Sequence, residues 1–367
     1  MNLLRSSNEK IKFTSKIHFS SSPMNADFFP LLTKGTYLNT AYVGPLSTAL
    51  AEFRNTQEQH YVENGVNYKI SADAVLEKTH HALAHFFGLE TKRTFVVTNF
   101  SSGLRQVLSF LPKKLKVLTI EEEYPSLTAA FEEGGFAIHT IPWESELELA
   151  IEKRLAQNDI DILALSIVQY NSGLLVDIDF LKQIKQQYPN LILVGDGTQF
   201  LGAHQFHFDH SPFDVISGSG YKWLLAGFGN GVVLLSENYM NRVQLDYEVL
   251  HDRIFMGHFS ILAVASLHFA VQSLEENDFK KLMLKKEQIS EKAKHKLTEG
   301  KWISPWVVQR KQHSSIFILE GAAGLYEHLV QNNIQCVQRG NGVRISFHYY
   351  NTEEDLNRLM EVLGQFS

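Results

Sequence analysis

Between residues 94 and 235 short apolar runs alternate with amphipathic segments, and this alternation constrains the fold more than any other feature of the chain. The apolar runs fall at 95–97, 116–120, 137–141, 160–168, 191–194, 214–216 and 232–235. Between them, residues 104–111, 125–133, 144–155 and 178–188 carry apolar side chains at helical spacing. Strands alternating with helices predict a mostly parallel sheet covered on both faces, so each strand is apolar throughout. Ligands of such sheets bind beyond the strand C-termini.

On either side of this block the pattern changes. Ser47 is placed to cap a helix running past Phe53 towards Tyr61, and a second helix from Ser71 is stopped by Gly88. Beyond Leu235, residues 259–274 and 278–297 read as two long helices. Then come strand 316–319, helix 322–331, strands 334–337 and 343–347, and helix 353–363, a compact α/β unit. At 367 residues the chain exceeds what one core organises, so two domains are expected. The expected division is a tail over 1–35, a large domain over 36–245 and a small domain over 246–367.

Composition narrows the function. Lys plus Arg is 34 and Asp plus Glu is 40, a net charge of −6 that argues against nucleic acid as the partner. The single Cys336 excludes an intrachain disulfide and suits a reducing cytoplasm. No apolar run is long enough to span a bilayer, so no membrane is expected. The first stretch, with Arg5, Lys10, Lys12 and Lys16 among serines, lacks the apolar region of a secretory signal. It reads as a disordered tail or as sequence ahead of a natural start at Met24, with a transit-like peptide as the other reading.

The chemistry centres on Ser217-Gly218-Ser219-Gly220-Tyr221-Lys222-Trp223-Leu224. Alone, Lys222 reads as an ordinary loop lysine. Just upstream, however, the run 191–194 ends in Asp196, followed by Gln199. A lysine on a tight turn and a carboxylate at the preceding strand end are the two parts a pyridoxal phosphate enzyme needs. The lysine forms the Schiff base and the acid keeps the pyridine nitrogen protonated.

Other segments admit two readings each. Thr98-Asn99-Phe100-Ser101-Ser102-Gly103 opens a helix and suits a phosphate, or is a plain helix cap. Tyr124 at a strand end can lie flat on a cofactor ring, though tyrosine there is commonplace. Gln169-Tyr170-Asn171-Ser172-Gly173 offers an amide to a phenolate oxygen, or is a turn. Arg344, inside an apolar strand, suits a bidentate grip on a carboxylate, or faces water at an edge. His204, His207 and His210 recur every three residues, but no cysteine or carboxylate pair completes a metal site, so no metal is expected.

Taken in order, these segments resemble the class V aminotransferase family of fold-type I pyridoxal phosphate-dependent enzymes, the group that includes cysteine desulfurases, kynureninases and isopenicillin-N-epimerase-like proteins. The resemblance runs from about Tyr37 to the end of the chain. It implies a fold-type I PLP-dependent transferase: a large domain with a mostly parallel seven-stranded sheet and a smaller C-terminal α/β domain. It implies that Lys222 carries the cofactor, that Asp196 pairs with the pyridine nitrogen and that Gln199 neighbours the 3′-oxygen. Tyr124 takes the stacking position and Asn171 joins the cofactor contacts. Ser101, Ser102, Ser219 and Tyr221 form the phosphate cup, and His258 lies on a loop reaching the partner subunit's phosphate. Arg344 matches the arginine for the substrate carboxylate, with Asn39 also on the substrate side. A homodimer with shared active sites follows from the same resemblance.

The departures carry weight. Tyr124 and Tyr221 stand where desulfurases have histidines, and no cysteine lies on a mobile loop ahead of Arg344. Desulfuration through a cysteine persulfide is therefore disfavoured. The expected function is an aminotransferase acting on an amino acid or related amine. A lyase, an epimerase and a non-catalytic binding protein of the same fold are the alternatives.

Overall fold

A computed structural model of the chain describes residues 28–366, apart from 143–145, 158 and 256. The expected tail therefore falls outside the described residues as far as residue 27. From Phe28 the chain is packed: Phe29 is buried against Tyr350, and Pro30–Lys34 forms a single 3-10 turn.

A two-residue strand, β1 (Thr36–Tyr37), comes first. Seven strands then build the main sheet: β2 (Thr94–Val97), β3 (Lys116–Ile120), β4 (Ala137–Ile141), β5 (Ile162–Ser166), β6 (Ile192–Asp196), β7 (Val215–Ser219) and β8 (Gly231–Leu235). Their order is β2-β8-β7-β6-β5-β3-β4. Only β8 runs against its neighbours; β3 to β7 pair in parallel.

Alternate side chains of each strand enter opposite cores, as the period of two requires. Leu118, Leu163, Leu165, Leu193, Ile216 and Val232 face one core, whereas Val117, Ile162, Ala164, Ile192, Val194 and Val233 face the other. The helices Ala72–Phe87, Leu147–Leu155, Ile178–Gln187 and Ile261–Glu276 cover the first face. Phe100–Leu108, Pro125–Gly134 and Tyr247–Phe255 cover the second. Leu250 and Ile254 thus join the main core although they follow the last sheet strand.

A third core lies over a small antiparallel sheet built from β9 (Ile316–Leu319), β11 (Val337–Arg339) and β12 (Gly342–Ser346). The helices Phe279–Glu299, Leu325–Gln331 and Glu353–Gly364 cover it. The last begins at a capping box in which Thr352 and Asp355 satisfy each other's backbone N–H groups. The run expected as one strand over 334–337 is split at Cys336. Its first part, β10 (Ile334–Gln335), pairs in parallel with β1, and its second part turns to pair with β12. The segment after β1 is tied to the small sheet, because the Ser346 N–H of β12 bonds to the Leu38 carbonyl at 2.8 Å, and Leu38 lies in the third core.

Three other expectations are corrected. The helix expected from 104 starts at Phe100, because Asn99 accepts from the Ser102 N–H and caps it four residues earlier. The strand expected over 160–168 shortens to Ile162–Ser166, its end bonding instead to the loop that follows. The helices Glu237–Val243 and Tyr247–Phe255 were not expected from the sequence.

Candidate active site

The strand order reverses around β3: β4 lies on one side and β5 on the other, which opens a crevice at the C-terminal ends of β3 and β5. Glu123, just past β3, spans this crevice. Its carboxylate accepts the backbone N–H of Ser166 at 2.8 Å, the Ser166 hydroxyl, and the N–H of Tyr124 at 2.6 Å. Burial raises the Glu123 pKa, while the Ser166 and Tyr124 donors pull it back. A carboxylate inside an acidic run looks solvated in sequence, so nothing in Glu121-Glu122-Glu123 signalled this role.

Asp196 ends β6 beside the crevice, 5% exposed, and accepts the Thr198 N–H at 2.8 Å. Burial lifts its pKa to about 6; the Thr198 donors and the Lys222 charge oppose the rise, and Glu123 adds to it. Lys222 follows β7 on a turn clamped from several sides. Gly220 N–H bonds to the Asn230 carbonyl at 3.0 Å, and Ala226 N–H returns to the Gly220 carbonyl at 3.0 Å. From the chain start, Gly44 N–H reaches the Tyr221 carbonyl at 2.9 Å. A Cβ at Gly44 would sit 2.2 Å from the Lys222 carbonyl oxygen, so only glycine permits that approach. Burial lowers the Lys222 pKa to about 8, helped by the positive charges of Arg344 and Arg339 and opposed by Asp196. An amine with that pKa is partly neutral at physiological pH, as a nucleophile must be.

Arg344 stands on β12 of the small sheet. Its neighbours Val343 and Ile345 point into the small core, which turns Arg344 to the other face of β12. There its Nη1 donates to the Tyr170 carbonyl at 2.5 Å, while Nε and Nη2 are buried without partners among the described residues. Asn39 Oδ1 is likewise buried and unpartnered among the described residues. Unpaired buried polar atoms cost free energy unless a ligand completes them.

The remaining expected residues gather around this centre. The Tyr124 ring lies between Phe100, centroids 6.0 Å apart, and Tyr170, at 5.4 Å. Tyr221 stacks on Phe228 at 4.7 Å, and the Lys222 Nζ lies 5.6 Å from the Tyr221 ring centre. Gln199 is occupied on both amide atoms: Nε2 donates to the Ala41 carbonyl at 2.8 Å, and Oε1 accepts from the Trp223 indole at 2.7 Å. Ser219 Oγ accepts the Phe100 N–H at 2.9 Å, fastening the helix start to the end of β7. Ser101 Oγ accepts from Ser126, and the Ser102 hydroxyl bonds to the Asn99 carbonyl at 3.0 Å and to Thr98 at 2.7 Å. His258 is exposed and lines a cavity of about 170 Å³ with Thr98, Ser102 and Gln106 of its own chain. Asn171 is half-buried, and its N–H donates to Gln169 Oε1 at 2.7 Å.

Arg339 and Tyr42 also belong to this surface and were missed. The Arg339 guanidinium lies 5.7 Å from the Tyr42 ring centre, and its positive charge bears on both Lys222 and Arg344. Gly340-Asn341 marks a two-residue hairpin turn, a signal that would have set Arg339 two positions along from the partner of Arg344.

These residues fit pyridoxal phosphate. A depressed lysine and a buried carboxylate lie at adjacent strand ends, and an arginine with two unpaired nitrogens faces them. The aminotransferase class-V family model matches residues 45–359. None of the curated proteins matches the chain in sequence. Among solved structures, a C-DES mutant with glycine covalently linked to its pyridoxal phosphate cofactor is 16% identical, at TM-score 0.84 over 94% of this chain and 100% of that one. The cystine C–S lyase C-DES with its product cysteine persulfide gives TM-score 0.81 at 16% identity, over 92% and 100%. A cysteine desulfurase from Thermococcus onnurineus gives 0.79 at 16% identity, over 93% and 96%. At such identities the likeness shows the fold, which is fold-type I. The chain belongs to the aminotransferase class-V family and is a pyridoxal phosphate-dependent enzyme.

Proposed function

We propose that the protein is an aminotransferase whose donor is an α-amino acid held by Arg344. The observation that carries this reading is the Arg344 guanidinium, 2% exposed, with two nitrogens unpaired beside Lys222. A planar fork of that kind suits a bidentate grip on a carboxylate.

Pyridoxal phosphate, when bound, supplies an electrophilic carbon and a sink for the electrons left by a departing proton. Lys222 would hold the cofactor through its Nζ, and in its neutral form that amine would accept the substrate's α-proton. The Asp196 carboxylate would stabilise a proton on the ring nitrogen. Tyr124, Gln199 and Asn171 would contact the ring. Ser101, Ser102, Ser219 and Tyr221 would hold the phosphate. Arg344 and Asn39 orient the substrate so that its α-proton faces Lys222. An exposed apolar edge next to Tyr221, made by Phe228 (65% exposed) and Leu46 (40%), supports assembly as a homodimer in which the partner's His258 approaches the phosphate.

A second reading is favoured by the match over 100% of the chain of a cystine C–S lyase. Persulfide transfer through an enzyme cysteine has no support: Cys336 is 7% exposed and burial lifts its thiol pKa to about 12. Single-turnover assays across amino acids separate the readings. Transamination yields one equivalent of 2-oxo acid per site with no ammonia; a lyase releases ammonia catalytically from cystine. Loss of neither absorbance nor amine with any amino acid would overturn both.

A further inference from the structure

We propose that Arg339 forms a second anion subsite beside Arg344, so that the amino-acid substrate carries an acidic side chain. This rests on the reading of Arg344 as the site of the α-carboxylate.

The hairpin sets the two arginines together. Gly340, at φ 52, begins the two-residue turn between Arg339 and Gly342, a pattern that fixes the register of β11 on β12. In that register Val337 lies directly opposite Arg344. Arg339 is two residues further along β11 and thus on the same face, a diagonal neighbour with Cα atoms about 7–8 Å apart. Both side chains are long enough to meet across that distance. Both bear on the Lys222 turn: the Arg339 guanidinium lies over the Tyr42 ring, and the positive charges of both arginines act on Lys222.

Neither arginine has a carboxylate within ion-pair distance among the described residues, and the Nε of each is buried without a partner. The nearby acids are committed elsewhere. Glu123 accepts from Ser166 and Tyr124, and Asp196 accepts from the Thr198 N–H at the end of β6. Two like charges on one strand pair repel unless an anion lies between them. A single α-carboxylate fills the Arg344 fork and leaves Arg339 unmatched. A second anionic group on the substrate side chain completes the pair. The substrate class is therefore an α-amino acid bearing a side-chain carboxylate or an equivalent anion.

Calorimetric titration of the holoenzyme with succinate and butyrate tests this, because the two acids share four carbons and differ by one carboxylate. Succinate is expected to bind at least ~10-fold tighter, about 1.4 kcal/mol. Arg339→Gln should bring succinate to the butyrate level and leave butyrate unchanged. Arg339→Lys, which keeps the charge but not the fork, should fall between them. Arg344→Gln should weaken both acids. Equal affinities in the wild type, or an equal loss of both acids in Arg339→Gln, would overturn the second subsite while leaving Arg344 in its role. Absence of binding by either acid to the wild type would overturn both.

Discussion

Arg344→Met should stabilise the cofactor-free protein while destroying its affinity for carboxylates. Burial, followed by the positive field of Arg339, lowers the Arg344 pKa from 12.5 to about 9. At 1.36 kcal/mol per pKa unit, the difference of 12.5 − 9 = 3.5 makes holding the cation roughly 5 kcal/mol more costly than in water. Both values lie above pH 7.5, so folded and unfolded chains both carry the charge there and the whole cost applies. Removing the guanidinium forfeits its bond to the Tyr170 carbonyl, worth ~2 kcal/mol for a charged donor. Methionine fills most of the same volume and needs no partner. The net expectation is a gain of roughly 2–3 kcal/mol, seen as a higher urea midpoint for the apoprotein at pH 7.5. Carboxylate binding should weaken by about 2–5 kcal/mol, read by calorimetry on the holoenzyme. A lower midpoint in Arg344→Met would refute the reasoning, since it would mean that the guanidinium is compensated without a ligand. Retained carboxylate affinity would remove Arg344 from the substrate site.

Three further outcomes follow from the site's geometry. Capture of pyridoxal phosphate by the apoprotein, followed by the visible spectrum, should rise with pH through about 8, where the Lys222 amine becomes neutral, and should vanish in Lys222→Ala. The same capture should fail as pH drops through about 6, where Asp196 gains its proton; Glu123→Gln removes a negative neighbour and should move this acid limb to lower pH. An unmoved limb would show that Glu123 does not act on Asp196. Gly44→Ala forces a methyl group to 2.2 Å from the Lys222 carbonyl, so it should cost ~1–3 kcal/mol in unfolding assays and slow cofactor capture; wild-type behaviour would show that the loop yields freely.

Periodicity alone settled the sheet and its two covering layers. The extent of each apolar run was legible, whereas the entry of Val117 and Leu118, or Val194 and Leu193, into opposite cores was not, because strands buried on both faces are apolar at every position. Lys222 and Asp196 were legible because they stand at the ends of strands that the apolar runs delimit. The roles proposed for them rest on the family resemblance. Short-range capping was less legible: the helix from Phe100 begins where Asn99 bonds to Ser102, a contact that outweighs the apolar spacing from which a later start was expected.

Tertiary structure decided everything that depends on residues distant in sequence. Arg344 is buried against Tyr170 only because β12 of the small sheet packs beside the loop after β5, some 174 positions earlier in the chain. Glu123 becomes a buried bridge because β3 and β5 are neighbours in the sheet, although the acidic run around it suggests a solvated surface. Arg339 joins the site through the hairpin register, and Gly44 is required because the segment after β1 lies on the Lys222 turn. The physical reason is the same in each case. Periodicity and turn chemistry are properties of adjacent residues, whereas burial, charge pairing and close backbone contact arise only when separate segments are brought together.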